Sequence, residues 1–142
     1  MLSGLLALII AALFSGAALY INIAEQPARL GLDDHAMLAE WKPAYKRGFA
    51  LQAPLTVIGC LLGLLAWWQT RNWGFVFGAI ALIANVPWTL RGIIPTNNIL
   101  MATEPAAAGP ETRQLIVKWG TLHAVRAALG FIAVLCFLLA LL

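Results

Sequence analysis

The sequence predicts an all-α fold, a bundle of four transmembrane helices with a short interfacial helix in its first long loop. Three observations support this fold class: 62% of the 142 residues are hydrophobic, only 11% are charged, and the mean hydropathy is +0.86. A chain of this composition has too little polar surface for a water-soluble domain of its length. We therefore expect a single integral membrane domain covering residues 1–142.

Four charge-poor runs mark the predicted transmembrane spans. The runs cover about residues 2–23, 49–68, 73–94 and 114–142. At about 1.5 Å per residue, each run can cross most or all of a hydrocarbon core about 30 Å thick. The third run is the least regular, because Asn85 and Pro87 interrupt it before it reaches Ile94. No Lys or Arg precedes the first run, which favours a retained span over a cleaved signal peptide.

The distribution of Lys and Arg predicts how the bundle is oriented. Most of the nine positive residues lie in or beside the two long loops, whereas the tight turn between the second and third spans carries only Arg71. Positively charged loops tend to stay in the cytoplasm, so we expect both long loops to be cytoplasmic and both termini outside, in a bacterial inner membrane. The net charge of +3 then reflects topology, and no motif predicts a nucleic-acid partner.

Several functional classes lack any motif in this chain. There is no glycine-rich phosphate loop, no G-x-S-x-G nucleophile motif and no closely spaced cysteine pair. Cys60 and Cys136 each lie inside an apolar span, which indicates small buried side chains; a disulfide between the two spans is the alternative. Nucleotide hydrolysis, serine hydrolysis and disulfide exchange are therefore not predicted.

Two pairs of glycines predict where helices approach each other closely. Gly59 and Gly63 lie in the second span, and Gly74 and Gly78 lie in the third. This spacing of small residues allows close contact between helix backbones in lipid. We interpret both pairs as contacts within the bundle, and the alternative is a homo-oligomer that forms through either pair.

The first long loop contains the pattern of a short helix on the membrane surface. Asp33 or Asp34 can cap its N-terminus. An apolar stripe follows, made of Met37, Leu38, Trp41 and Tyr45. Polar residues occupy the other faces, which is typical of an interfacial helix.

The second long loop divides into two parts. Residues 94–100 predict a compact polar turn, and residues 102–109 predict a mobile segment rich in Ala, Pro and Gly. Pro110 then predicts the start of a helix, with Glu111 in its first turn. We expect this helix to continue into the fourth span.

Three residues of that last helix form the most specific pattern in the chain. Trp119, His123 and Arg126 have i, i+4 and i+7 spacing, so their side chains share one helix face. A charge placed partly inside a bilayer costs about 2.5–3.5 kcal/mol unless it is solvated or paired, so Arg126 is expected to have a partner. The alternatives are an arginine that extends to the headgroups, and a histidine and a tryptophan that only lie at the interface.

The cytoplasmic end of the first span offers a carboxylate for this arginine. A cluster of polar residues occurs there: Tyr20, Asn22, Glu25, Gln26 and Arg29. Pro27 is expected to bend or end the helix at this point. Glu25 is the predicted partner of Arg126 or His123, and a solvated carboxylate at a helix end is the alternative.

Three motifs follow one another around the four spans. They are Tyr20-Ile21-Asn22-Ile23-Ala24-Glu25-Gln26-Pro27-Ala28-Arg29-Leu30, then Pro95-x-Asn97-x-x-Leu100, then Trp119-x-x-x-His123-x-x-Arg126. Together they resemble the anthrone oxygenase-like family of small four-helix membrane proteins, over almost the whole chain. The resemblance implies oxidation of anthrones to anthraquinones without an evident organic cofactor. That family often has His immediately before the proline of the first motif, where this chain has Gln26 and therefore no second imidazole.

The implied reaction assigns catalytic roles to three residues. Loss of a proton from the activated C–H group of an anthrone gives an electron-rich enolate that can itself reduce dioxygen. His123 is the expected general base, and Arg126 is expected to stabilise the enolate or a developing peroxide. Glu25 would hold the arginine or tune the imidazole. No cofactor is predicted, and the expected partners are a small hydrophobic aromatic substrate, O₂ and the lipid bilayer.

The expected substrate-binding residues surround this group. Trp119 is expected to stack on a flat polycycle, and Asn97 to orient a phenol or carbonyl oxygen. Tyr20 and Asn22 are expected to complete the pocket.

The sequence is also compatible with two other functions. A metal-dependent membrane oxidoreductase would use nitrogen and oxygen ligands from both polar segments, namely Glu25, His35, Asn97 and His123. A non-enzymatic membrane protein would instead hold a quinone, isoprenoid or lipid in a polar pocket between the helices. Oxygen consumption separates an enzyme from such a binding protein.

Overall fold

The computed structural model describes all 142 residues and contains helices and connecting turns but no β-strand. Its four long helices are α1 (Leu2–Leu30), α2 (Asp34–Thr70), α3 (Gly74–Ala102) and α4 (Pro110–Leu141). Each of them is long and apolar enough to cross a membrane. The predicted all-α bundle of four helices is confirmed.

Helix α1 does not end at its proline. Pro27 has no N–H group to donate to the carbonyl four residues before it, and the preceding residues Ile21–Glu25 form a π-helical turn. The Gln26 N–H donates to the Ile21 carbonyl across this wider turn. The helix therefore continues to Leu30, whereas the sequence predicted a bend or an end at Pro27.

Helix α3 repeats this arrangement. Residues Thr89–Ile93 form a second π-helical turn just before Pro95, and the Ile94 N–H donates to the Thr89 carbonyl. The helix then continues as Ile94–Ala102. The compact polar turn predicted for residues 94–100 is therefore wrong, because the wider turn accommodates the proline without breaking the helix.

Helix α2 corrects a third prediction. The short interfacial helix is not a separate element, because one continuous helix of 37 residues runs from Asp34 to Thr70 with Pro43 and Pro54 inside it. Its N-terminus is capped as predicted, since the Asp33 carboxylate accepts the Ala36 N–H at 2.9 Å. This hydrogen bond keeps the pKa of Asp33 below its usual value.

The connection into α4 covers residues 103–109. Pro105–Ala107 forms a single 3₁₀ turn. Helix α4 begins at Pro110 with Glu111 in its first turn, as predicted, and the Gly109 N–H donates to the Thr112 hydroxyl at 3.2 Å.

Both chain ends lie at the same end of the bundle as the turn between α2 and α3. The Ser3 hydroxyl donates to Gln69 Oε1 at 2.6 Å, and Asn72 Nδ2 donates to the Ala140 carbonyl at 3.1 Å. At the opposite end, Arg113 of α4 donates to the Leu30 carbonyl at the end of α1 at 2.8 Å and to the Leu32 carbonyl in the α1–α2 connection at 2.6 Å. The α1–α2 connection (residues 31–33) and the α3–α4 connection (residues 103–109) therefore share one end of the bundle, and both are shorter than the long loops that the sequence predicted.

The helices form a ring in chain order. Helix α1 packs against α2 and α4, and α3 packs against the same two helices. A Cβ atom added at Gly63 would lie 2.8 Å from Phe137 Cε1, and one added at Gly74 would lie 2.9 Å from Ala140 Cβ. The predicted small-residue contacts are thus made inside the bundle. Cys60 and Cys136 are free thiols.

Candidate functional site

A cleft opens among the four helices at the end that carries the α1–α2 and α3–α4 connections. It is narrow, with a cavity volume of only about 20 Å³, and it is partly open to the exterior. Its polar and charged lining consists of Glu25, Arg29, Tyr45, Gln52, Trp119, His123 and Arg126. Ile21 and Ile93, one from each π-helical turn, lie on opposite sides of this lining. The two wider turns therefore help to shape the cleft.

The shared face of α4 lines this cleft as its spacing predicted. Trp119, His123 and Arg126 are 4%, 3% and 7% exposed. All three belong to the same cavity wall, and Glu25 from α1 lies on that wall too. The imidazole, the guanidinium and the carboxylate therefore meet in one space.

The imidazole of His123 is held by Asn22. Its Nδ1 lies 2.7 Å from Asn22 Oδ1, while Asn22 Nδ2 donates to the Gly120 carbonyl at 2.8 Å. The bond to Gly120 fixes which end of the amide faces the imidazole, and an amide oxygen can only accept. Nδ1 therefore carries the proton, which leaves the lone pair of a neutral imidazole on Nε2.

Trp119 supports the imidazole from the side. The two rings stack with centroids 4.9 Å apart and an interplanar angle of 26°. Trp41 packs its ring edge-on to Trp119 at 5.9 Å, and the Arg29 guanidinium lies 5.6 Å from the Trp119 ring centroid. These contacts restrict the orientation of both aromatic rings.

Arg29 is the central cation of the cleft. It is 2% exposed and donates to Glu25 Oε1 at 2.7 Å and to Gln26 Oε1 at 2.9 Å. It also forms an ion pair with Glu40 of α2. Glu25 was predicted to pair with Arg126 or His123, and this prediction is wrong because Arg29, one helical turn away, takes the carboxylate instead.

Gln26 lies immediately before Pro27, at the position where the family that the three sequence motifs resemble often has His. Its Nε2 donates to the Ile116 carbonyl at 2.8 Å, and its Oε1 accepts from Arg29. The amide therefore joins α1 to the backbone of α4 and orients the central arginine. It lies beside Gly120, where a Cβ atom would be 2.7 Å from Gln26 Nε2.

Arg126 has no carboxylate partner, because the three ion pairs of the protein involve other residues. Its guanidinium carbon lies 5.6 Å from the centroid of the Phe14 ring, and its Nε has no hydrogen-bond partner among the protein atoms. A buried cation with a free donor can bind an anionic or carbonyl oxygen in the cleft.

Three predicted substrate-binding residues, Tyr20, Asn22 and Asn97, do not line this cleft. Tyr20 is 63% exposed and lies on a shallower groove between α1 and α2. Asn97 is buried, and neither of its amide atoms has a protein partner. Asn97 is therefore near the core of the bundle but outside the lining of the cleft.

The ligand set predicted for a metal is also not assembled. His35 is exposed near the start of α2, and Asn97 lies outside the cleft that holds Glu25 and His123. No group of three or more His, Cys, Asp or Glu side chains is placed to hold a metal ion.

Sequence reasoning missed several residues of the site, among them Tyr45 and Gln52 on the wall of the cleft, the central cation Arg29 and its partner Glu40. Arg29 and Glu25 have i, i+4 spacing, which is a signal for a salt bridge on one helix face. Glu40 gave no such signal, because it reaches Arg29 from a different helix. Asn22 was predicted to contact substrate, and the structure shows it bonded to the imidazole.

Comparison with known proteins adds an independent observation. A family model described as anthrone oxygenase matches residues 41–136. An anthrone oxygenase of Aspergillus fumigatus is 33% identical over 131 residues, which cover 85% of this chain and 81% of the relative. An anthrone oxygenase of a Cryptosporiopsis species is 29% identical over 140 residues, covering 89% of this chain and 82% of the relative.

A third relative, an anthrone oxygenase of Aspergillus novofumigatus, is 31% identical over 104 residues, which cover 67% of this chain and 64% of the relative. No solved structure matches the chain. These three relatives are fungal, so they give no support to the predicted bacterial source.

Proposed function

The chain belongs to the anthrone oxygenase family, and we propose that it oxidises a flat, anthrone-like aromatic molecule with dioxygen. The observation that carries this proposal is the pairing of a free imidazole nitrogen with an unpaired guanidinium in one buried cleft. The first group can accept a proton, and the second can stabilise the negative charge that results.

The reaction balances without a further reductant. A base removes one proton from the methylene group between the two aromatic rings of the anthrone, which leaves an enolate. The enolate carbon then bonds to dioxygen, and the resulting peroxide takes up a proton. Loss of the second hydrogen of that carbon with cleavage of the O–O bond gives the quinone carbonyl and one water. One O₂ is therefore consumed for each anthraquinone formed.

The residues of the cleft supply what these steps require. His123 Nε2 accepts the first proton, and the Nδ1–H bond to Asn22 keeps the imidazole in the required tautomer. Arg126 donates to the enolate oxygen or to the peroxide. Trp119 fixes the imidazole plane by stacking, which adds an orienting role to its expected contact with the substrate.

Glu25 has a supporting role in this proposal. Together with Gln26 and Glu40 it surrounds Arg29, so the carboxylate acts on the cleft through that arginine and not through Arg126. Arg29 lies over the ring of Trp119, which in turn stacks on His123. The chain of contacts leads from the carboxylates to the base.

We propose that the substrate reaches this cleft from a membrane. The four helices are long and apolar enough to cross one, and a flat tricyclic molecule partitions into lipid. Most Lys and Arg residues lie in the helix segments that flank the two connections at this end of the bundle, which favours the cytoplasmic side for the end that carries the cleft. Because the cleft is narrow, side chains on its wall have to move to admit a tricyclic ring system.

Oxygen uptake by the purified protein in detergent tests this function. With anthrone as substrate, we expect one O₂ consumed for each anthraquinone formed, above the rate of spontaneous oxidation in the same detergent. With ¹⁸O₂, one labelled oxygen should appear in the product. A protein that only binds the aromatic molecule would retain it and consume no oxygen above background. That result would refute the proposed oxygenase activity.

A further inference from the structure

A second cavity lies between α2 and α3, next to the cleft. It has a cavity volume of about 170 Å³, against about 20 Å³ for the cleft. Phe49 and Arg126 line both spaces, so they form the partition between them. Val57 and Leu90 on its rim are 46% and 57% exposed on the outside of the bundle. The cavity therefore opens sideways, where the helices are apolar enough to meet lipid.

This cavity offers almost no hydrogen bonds to a bound molecule. Besides the shared arginine, the wall has three polar residues, Asn85, Thr56 and Thr89, and all three are buried. The Asn85 Nδ2 donates to the Leu82 carbonyl at 3.0 Å, and the Thr56 hydroxyl donates to the Ala53 carbonyl at 2.7 Å. The surface that faces the cavity is almost entirely apolar. The space therefore suits a small apolar guest and not water, which needs about two to four polar partners.

The proposed reaction needs a way for its second reactant to reach a filled cleft. The cleft is so narrow that a bound tricyclic substrate fills it. Dioxygen is small and apolar, and transfer of an apolar solute from water into an apolar environment is favourable. Dry apolar cavities of about 150 Å³ take up xenon, which is another small apolar guest. The α2–α3 cavity matches such a space in size and in the character of its wall.

We propose that the α2–α3 cavity is the compartment from which dioxygen reaches the cleft. Dioxygen dissolved in the lipid enters between Val57 and Leu90 and passes the partition formed by Phe49 and Arg126. The guanidinium at this partition has no carboxylate partner, so its charge is free to stabilise the peroxide that forms beside it. The proposal rests on the proposed function for the use of dioxygen, and it adds the binding site and the path.

A lipid acyl chain is the competing occupant of this cavity. Such a chain finds similar apolar contacts elsewhere on the outside of the bundle, where Leu61, Phe77 and Ile80 are 61%, 60% and 56% exposed. The α2–α3 cavity differs from that surface because it shares Phe49 and Arg126 with the cleft. A shared wall serves a reactant that has to cross it, and it gives an acyl chain no advantage.

Xenon probes this cavity without any turnover. Crystals of the full-length protein pressurised with xenon should show an anomalous peak beside Ala53 and Val86. Ala53→Phe places a ring inside the cavity and should abolish the peak. Ala50→Phe is the matched control, because Ala50 is exposed on the same helix and lines neither the cavity nor the cleft, and it should keep the peak. A wild-type cavity without xenon, or one filled by an acyl chain, would overturn the proposal.

The dependence of turnover on oxygen concentration tests the path. At saturating anthrone, Ala53→Phe should raise the KM for dioxygen about 5-fold with little change in kcat, and Ala50→Phe should keep the wild-type KM. Xenon should compete with dioxygen in the wild type and leave the KM for anthrone unchanged. An unchanged KM for dioxygen in folded Ala53→Phe would overturn the path. If that variant does not fold, absence of xenon inhibition in the wild type would overturn it.

The failure of this proposal can be told from the failure of the proposed function. Oxygen uptake from anthrone, with no xenon in the cavity and an unchanged KM for dioxygen in Ala53→Phe, would leave the oxygenase and remove the compartment. Xenon in the cavity without any oxygen uptake would remove the oxygenase, and with it the use of the cavity for dioxygen.

Discussion

Asn22 and His123 are 101 residues apart in the sequence and are joined by a hydrogen bond of 2.7 Å between Oδ1 and Nδ1. The bond crosses from the π-helical turn of α1 to the buried face of α4. It fixes the tautomer of the only imidazole in the cleft and so determines which nitrogen can act as a base.

Removing this bond should reduce turnover more than substrate binding. Asn22→Leu lets the proton move to either imidazole nitrogen, so we expect kcat to fall about 10- to 100-fold with little change in KM. Asn22→Asp keeps an acceptor at the same place and should retain most of the activity. Steady-state oxygen uptake measures both variants. Equal turnover in Asn22→Leu and the wild type would show that the bond has no catalytic role.

Removing Arg29 should destabilise the bundle. Arg29→Met leaves Glu25 and Glu40 without their cation, and breaking a buried ion pair costs about 3–5 kcal/mol. Because both carboxylates are partly exposed, we expect a smaller loss of about 2 kcal/mol. Thermal unfolding in detergent measures the change. Arg47→Met is the matched control, since Arg47 is exposed and forms no ion pair, and it should unfold at the wild-type temperature.

The substitution Gly63→Ala, which adds a methyl group between α2 and α4, should also destabilise the fold. A Cβ atom there would meet the buried ring of Phe137 at 2.8 Å, and overpacking of this kind costs about 1–3 kcal/mol. Gly16→Ala is the control in another helix, because nothing lies within 4 Å of its Cβ position. That change should be neutral or should stabilise α1 by up to about 1 kcal/mol. Equal unfolding temperatures for the two variants would contradict the close contact between these helices.

The oxidation should not depend on a dissociable metal ion. No set of three or more His, Cys, Asp or Glu side chains converges, and the proposed steps use only a base and a cation. Oxygen uptake should therefore be unchanged after dialysis against a strong chelator. Loss of activity that returns on addition of iron, copper, zinc or manganese would favour the metal-dependent oxidoreductase instead.

The sequence predicted the four helices well because long charge-free runs have few alternatives in lipid. It was less successful at the prolines. Pro27 and Pro95 are ordinary signals for a helix end, but π-helical turns before them let both helices continue. Local pattern does not show whether a proline breaks a helix or widens one turn.

The candidate site was predictable only within single helices. Trp119, His123 and Arg126 share a face because helical spacing alone requires it. Which carboxylate pairs with which arginine depends on packing between helices, so the contact of Glu40 with Arg29 has no sequence signal. For the same reason Asn97 was assigned to the pocket by its motif, while the structure places it outside the cleft.

Turnover of His123→Ala, compared with His35→Ala, bears most directly on the proposed role of the cleft. His35 is the other histidine of the chain and is exposed near the start of α2, so its loss controls for removal of an imidazole. We expect oxygen uptake from anthrone to fall about 100-fold or more in His123→Ala and to stay at the wild-type rate in His35→Ala. Wild-type uptake in a folded His123→Ala protein would show that the base lies elsewhere.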